Sequence, residues 1–139
     1  MAKRIVDISV WSLTPRRPSP ELNPVVPYLI NLLKDANVVV IGPIRQELLS
    51  GVRSQEQFER IESRLSIYPD EPIWSQDYIA AAEHSNFCRH HEVQGSHTDF
   101  LICAVSVRNS WPILTTDIDF LHYARYIPIE LDPATIARG

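Results

Sequence analysis

The stretch RIVDISV, residues 4–10, is a run of apolar, mostly β-branched residues interrupted by an acid, Asp7, and by Ser9. Such a run is typical of a buried strand in a parallel sheet. An acid within it is seldom left without a partner, because a buried carboxylate loses its hydration. The segment therefore predicts a sheet strand and, near its carboxyl end, a carboxylate with a specific task.

The rest of the chain alternates apolar runs with helical patterns. Further strands are predicted at residues 38–41, 65–68, 111–115 and 127–131, and helices at 24–37, 43–50, 54–65, 74–91 and 98–107. The helix at 98–107 is apolar on nearly all sides, which indicates burial. This alternation predicts an α/β fold, a three-layer α/β/α sandwich with a mainly parallel central sheet. Residues 1–139 are expected to form one domain.

Composition and charge exclude some classes of protein. No apolar stretch approaches the roughly 20 residues that cross a bilayer, and Cys88 and Cys103 form no CxxC pair. Free thiols, a reducing compartment and a cytoplasmic location are expected. The net charge of -4 disfavours a broad basic nucleic-acid surface, although eleven of the thirteen basic residues are Arg, whose planar guanidinium suits phosphate.

Four separated acids are the candidate catalytic residues: Asp7, Glu47, Asp99 and Asp117. Functional groups in open parallel sheets gather beyond the carboxyl ends of the strands, where these acids are predicted to lie. Converging carboxylates repel one another, and a hard cation such as Mg²⁺ or Mn²⁺ relieves that repulsion. Structural explanations also stand: a favourable helix terminus for Asp99, a turn for Asp117, and an exposed helix position for Glu47.

Four motifs resemble the PIN-domain family, and within it the VapC-type ribonuclease toxins of toxin–antitoxin pairs. They are a strand ending in an acid, an acid on a helix before a glycine, an acid heading an apolar helix, and a Thr two residues before an acid. In this chain they read IVDISVW, IRQELLSG, HTDFLICAVSV and LTTDIDF. The resemblance covers almost the whole chain. It implies a PIN-like sandwich and endonucleolytic RNA cleavage with Mg²⁺ or Mn²⁺. It also implies a VapB-type antitoxin as partner and a homodimer.

The resemblance also assigns roles to individual residues. It implies that Asp7 and Asp99 are the principal metal ligands and that Asp117 and Glu47 complete the acidic pocket, Asp117 as a further ligand. Two hydroxyl residues, Ser9 and Thr115, would orient the carboxylates through hydrogen bonds. Asp119 lies in the last motif, in which the contributing acid varies between family members.

Other classes of protein also use acidic pockets. A response-regulator receiver needs a pocket lysine after a late strand, and neither Lys3 nor Lys34 has that position. A haloacid-dehalogenase site needs two acids flanking one residue, whereas this chain has Asp7-Ile8-Ser9. A non-catalytic PIN-like module that binds RNA or protein remains open.

Further residues carry secondary expectations. Arginines in a proline-rich loop and on the helix after the second strand are candidate phosphate contacts, and one apolar helix face is a candidate dimer surface. The residues are Arg16, Arg17 and Arg45 for phosphate, and Val25, Leu29 and Leu32 for the dimer. For Arg45, an ion pair with an acid is the alternative.

Overall fold

A three-stranded parallel sheet forms the centre of the fold. In a computed structural model, which describes residues 3–13, 25–34 and 37–135, strand β1 (Arg4–Val6) lies between β2 (Val38–Val39) and β3 (Ile113–Leu114). Ile5 pairs with Val39 on one side and with Ile113 on the other. The carboxyl ends of β1 and β3 therefore meet at one edge of the sheet, and Asp7 directly follows the central strand.

Seven helices accompany the sheet in the described residues, and two of them are capped by serine. The Ser54 hydroxyl accepts a hydrogen bond from the Gln57 backbone N–H, and that of Ser96 accepts one from Asp99, each stabilising a helix start. The helices are α1 (Ile8–Trp11), α2 (Val25–Lys34), α3 (Gly42–Leu49), α4 (Gln55–Leu65), α5 (Ser75–His90), α6 (His97–Asn109) and α7 (Asp119–Tyr123). The predicted α/β class with a parallel sheet is confirmed.

Helices α5 and α6 form a closely packed pair that sets the position of the Asp99 motif. Seven consecutive residues of α6, from 100 to 106, are buried, which confirms the prediction of an enclosed helix. Near the far end of α6, Arg108 donates through Nε and Nη2 to the Asp77 carboxylate of α5, at 2.7 and 2.9 Å. Asp77 also accepts from the Trp74 backbone N–H and so caps α5.

Asp77 is only 2% exposed, so its charge has lost most of its hydration and depends on the ion pair with Arg108. Burial alone would raise the pKa of Asp77, but the Arg108 hydrogen bonds, with the bond from Trp74, hold it below its usual value. The carboxylate is therefore kept charged inside the protein by one arginine. That arginine also lies over the Trp74 ring, 4.2 Å from its centroid.

Three predicted strands differ from the structure. The strand predicted at residues 4–10 ends at Val6, because the Asp7 carbonyl accepts from the N–H groups of Val10 and Trp11 and starts α1. Residues 65–68 form the end of α4 and a turn, with a single bridge nearby between Val40 and Asp70. The strand predicted at residues 127–131 does not form, and the segment makes a single β-bridge, between Ile113 and Leu131.

The proposed dimer face on α2 also needs correction. Leu29 and Leu32 are fully buried within the chain, so they are not available to a second copy. The side chain of Val25, the proline-rich segment and Arg16 and Arg17 within it lie outside the described residues. Cys88 and Cys103 are both buried free thiols, as predicted. None of the helices in the described ranges has the length and apolarity needed to span a bilayer.

Candidate active site

Asp7 lies where the chain turns from the central strand into α1. Its backbone N–H donates to the Leu114 carbonyl at 2.9 Å and so continues the β1–β3 pairing by one residue. Its own carbonyl starts the helix, so the backbone on both sides of Asp7 is fixed. The side chain is 1% exposed, which makes it one of the few buried carboxylates among the described residues.

Two hydroxyls hold one oxygen of the Asp7 carboxylate. Ser9 and Thr115 each donate to Oδ2 at 2.8 Å, and their oxygens accept from the backbone N–H groups of Thr116 (3.0 Å) and Asp117 (2.9 Å) respectively. Because each hydroxyl has one proton, both protons are used on Asp7, and the 3.2 Å contact between Ser9 and Thr115 adds little. The other oxygen of Asp7, Oδ1, is buried with no hydrogen-bond partner in the described structure.

Asp99 stands in the first turn of α6. Its backbone N–H donates to the Ser96 hydroxyl, which caps the helix. Its carboxylate Oδ2 accepts a 2.6 Å hydrogen bond from the Tyr123 hydroxyl at the end of α7. The backbone of Asp99 is therefore fixed by the cap of its own helix, and its carboxylate is fixed by a residue of α7.

Asp99, Asp117 and Asp119 form an acidic group: one carboxylate oxygen of each lies within 4.8 Å of the others. Asp99 and Asp117 are half-buried and Asp119 is exposed. The Asp119 backbone N–H donates to Asp117 Oδ1 at 2.9 Å, a local turn bond that fixes the last motif. Spacing of this kind permits three carboxylates to share one small hard cation.

The electrostatics of the group reflect both burial and crowding. The pKa of Asp99 is raised to about 6; burial is the largest cause, and the charges of Asp7 and Asp117 add to it. Hydrogen bonds from Tyr123 and Ser96 act in the opposite direction. Burial likewise raises the pKa of Asp7, against the stabilising hydroxyls of Thr115 and Ser9. In the absence of a cation, the protein thus bears a cost for keeping these acids ionised together.

The structure brings together three of the four predicted catalytic acids. Asp99 and Asp117 belong to the acidic group, and Asp7 lies near enough to raise the pKa of Asp99. Glu47 is solvent-exposed on α3 and is not part of the group, although α3 packs against α1. Asp119, the acid with the least definite role in the motif, completes the group.

Arg45, a candidate phosphate contact, has structural partners instead. Its Nε donates to Asp70 at 2.7 Å, and its guanidinium also donates to the backbone carbonyls of Leu65 and Tyr68. These bonds fix the turn after α4. Of the two roles expected for Arg45, the structure shows the ion pair with an acid, Asp70.

Two residues at the site were missed in the sequence. Ser96 stands three residues before Asp99, which is the spacing of a helix-capping serine and an acid, so the signal was present. Tyr123 stands four residues after Asp119 on one short helix, so the two are a turn apart. Nothing in the sequence indicated that the Tyr123 hydroxyl would meet a residue 24 positions earlier.

Comparison with known proteins bears on the fold. No family model matches the sequence, and no curated protein does. Among solved structures, the chain is similar to one described as the crystal structure of FitAcB from Neisseria gonorrhoeae, with a TM-score of 0.72 and 18% sequence identity. The match covers 94% of this chain and 96% of the other. At this identity the likeness confirms the fold alone.

Proposed function

We propose that this chain is a metal-dependent endoribonuclease that hydrolyses RNA phosphodiesters with Mg²⁺ or Mn²⁺. The observation that carries the proposal is the acidic group of Asp99, Asp117 and Asp119 beside the buried carboxylate of Asp7. The resemblance of four motifs to VapC-type PIN domains supports it, because Asp7, Asp99 and Asp117 are among the acids that this resemblance implies for the active site. The fold likeness to a chain of the FitAcB structure is consistent with that assignment.

The donor set fits a small hard cation. All candidate ligands are carboxylate oxygens, which Mg²⁺ and Mn²⁺ prefer. The buried Oδ1 of Asp7 makes no hydrogen bond in the described structure, and only the backbone N–H groups of Ile8 and Ser9 add some stabilisation to this carboxylate. A nearby cation would supply a full positive partner. Asp99, Asp117 and Asp119 would hold the ion, and Asp7 is the further ligand that the motif resemblance implies. Glu47, exposed on α3 and outside this group, is left without a role at the ion. When bound, such an ion polarises a phosphoryl oxygen and lowers the pKa of an attacking water.

Two hydroxyl residues of the site, Ser9 and Thr115, orient the Asp7 carboxylate. Ser9 and Thr115 hold Oδ2 of Asp7 and thereby fix the rotation of its carboxylate, which keeps Oδ1 in one place. Thr115 also accepts from the Asp117 backbone N–H, so the same hydroxyl joins the ends of β1 and β3. A geometry fixed in the free protein lowers the cost of ordering these groups when substrate arrives.

The activity predicts cleavage of mixed cellular RNA by purified protein with Mg²⁺ or Mn²⁺, and none in excess chelator. Gel analysis of RNA incubated under both conditions tests this, with the Asp117→Asn variant as the control for contaminating nuclease. Cleavage that persists in chelator, or equally in the variant, would contradict the mechanism. RNA binding without any cleavage would favour the alternative, a non-catalytic PIN-like module that binds RNA or protein.

The same resemblance supports a place in a toxin–antitoxin pair. The proposed partner is a VapB-type antitoxin, encoded by a short neighbouring reading frame, and the proposed location is the cytoplasm. A homodimer is the proposed free state. A candidate surface in place of the buried face of α2 lies on α5, where Ile79 and Phe87, two helical turns apart, are half or more exposed.

A further inference from the structure

The Tyr123 hydroxyl is the only described side-chain group that joins α7 to the Asp99 carboxylate. Tyr123 is fully buried, and its hydroxyl donates to Asp99 Oδ2 at 2.6 Å. Charge-assisted hydrogen bonds of this length are among the stronger ones in proteins. The ring packs against Phe100 and Phe120, with centroids 5.1 Å from each, so the hydroxyl has little freedom to move.

Helix α7 carries two contributions to the site. It begins at Asp119, a member of the acidic group, and ends at Tyr123. The hydrogen bond from Tyr123 to Asp99 therefore ties α6 to the helix that presents Asp119. It sets the separation between two carboxylates that would otherwise repel each other.

Gly95 provides the space that this contact needs. A Cβ at position 95 would lie 2.2 Å from the Tyr123 hydroxyl oxygen and 2.7 Å from Cζ, closer than real Cβ atoms approach. Since the Tyr123 ring is enclosed by aromatic neighbours, it could not move aside at low cost. With a larger residue at position 95, either the Tyr123 hydroxyl or the exposed backbone at Gly95 has to shift. Because the ring is the more enclosed of the two, the shift changes how the hydroxyl meets Asp99.

We infer that Tyr123 is a positioning residue that holds the Asp99 carboxylate in the orientation for cation binding, and that Gly95 is required for it to do so. This inference rests on the proposed cation site. A buried hydroxyl also needs some acceptor for stability alone. The two explanations differ, because a purely stabilising bond would leave the cation affinity of the folded protein unchanged.

Calorimetric titration of the RNA-free protein with Mn²⁺ separates these explanations. Tyr123→Phe removes only the hydroxyl and keeps the ring, and we expect its dissociation constant to rise about 10- to 100-fold, as for other residues that orient metal ligands. Tyr126→Phe is the matched control, since that half-buried ring stacks on His91 at 4.4 Å, and it should bind Mn²⁺ as the wild type does.

Gly95→Ala gives a second, independent variant. It should weaken Mn²⁺ binding to a similar extent, and the double variant with Tyr123→Phe should lose less than the product of the two single effects. Affinities of Tyr123→Phe and Gly95→Ala within twofold of wild type would overturn the inference and leave the proposed function standing. If the wild-type protein bound no Mn²⁺, the cation site and the inference would both fall.

Discussion

Asp99→Asn is expected to abolish RNA cleavage and, in the metal-free protein, to raise stability. Loss of a proposed metal ligand should reduce activity by at least about 100-fold, more than is usual for a residue that only orients a ligand. Stability should increase because the variant removes a charge that is buried and repelled by Asp7 and Asp117. A shift in pKa from 3.8 to about 6 corresponds to at most about 3 kcal/mol, and screening of this half-buried group reduces that to about 1–2 kcal/mol.

The sign of the effect follows from the direction of the pKa shift. The folded protein retains the Asp99 proton to higher pH than the unfolded chain does, so this group favours folding below about pH 4. That contribution is lost as the pH rises through about 6. The stability advantage of Asp99→Asn should therefore be absent near pH 4 and complete near pH 7.

Urea unfolding at several pH values, with and without Mn²⁺, measures the pH dependence of stability and the stabilisation by the cation. The variant should also show a smaller gain in stability on adding Mn²⁺, which for an intact site at a hundred times the dissociation constant is about 2.7 kcal/mol. Glu62→Gln, at an exposed position of α4, is the control for removing one negative charge. An exposed acid such as Asp70 is less suitable, because it is paired with Arg45. The prediction would be contradicted if the metal-free variant were less stable than the wild type and gained as much stability from Mn²⁺. Asp99 would then serve only to stabilise its helix.

Arg108→Met is expected to cause a large loss of stability by leaving Asp77 buried and unpaired. Loss of the guanidinium should cost about 2–3 kcal/mol, less than for a fully buried pair, because the Arg108 side chain is 24% exposed and water can reach Asp77 once the guanidinium is gone. Unfolding in urea at neutral pH gives the loss directly. Because the pair joins α5 to α6, its loss should also weaken the packing of α6, the helix that carries Asp99.

Two further variants test that explanation. Arg60→Met breaks an exposed pair with Glu56, one helical turn away, and should cost about 0.5 kcal/mol or less. Asp77→Asn combined with Arg108→Met should recover much of the lost stability, since the neutral amide can still accept from the Trp74 backbone N–H. Equal, small losses for Arg108→Met and Arg60→Met would show that the buried pair is not important for stability.

The sequence was most informative where burial determines structure. The apolar helix α6, the central strand and the buried acid Asp7 within its run were predicted because burial leaves a clear pattern in the residues. Glu47, predicted with the other acids from its motif, lies exposed and outside the acidic group. The helix at Ile8–Trp11 was missed because its β-branched residues favour a strand, and bonds to the Asp7 carbonyl override that preference. Contacts between distant segments, such as Tyr123 with Asp99, depend on tertiary packing and leave no local signal.

The central claim, that these carboxylates hold a divalent cation, is tested most directly by a crystal of the protein soaked in Mn²⁺. The anomalous difference map should contain a peak in contact with carboxylate oxygens of Asp99 and Asp117, at coordination distances of about 2.0–2.3 Å. The same peak should lie near Oδ1 of Asp7, which has no other partner in the described structure. A map without a peak at these residues, from a crystal that contains Mn²⁺ and leaves the site open to solvent, would contradict the account.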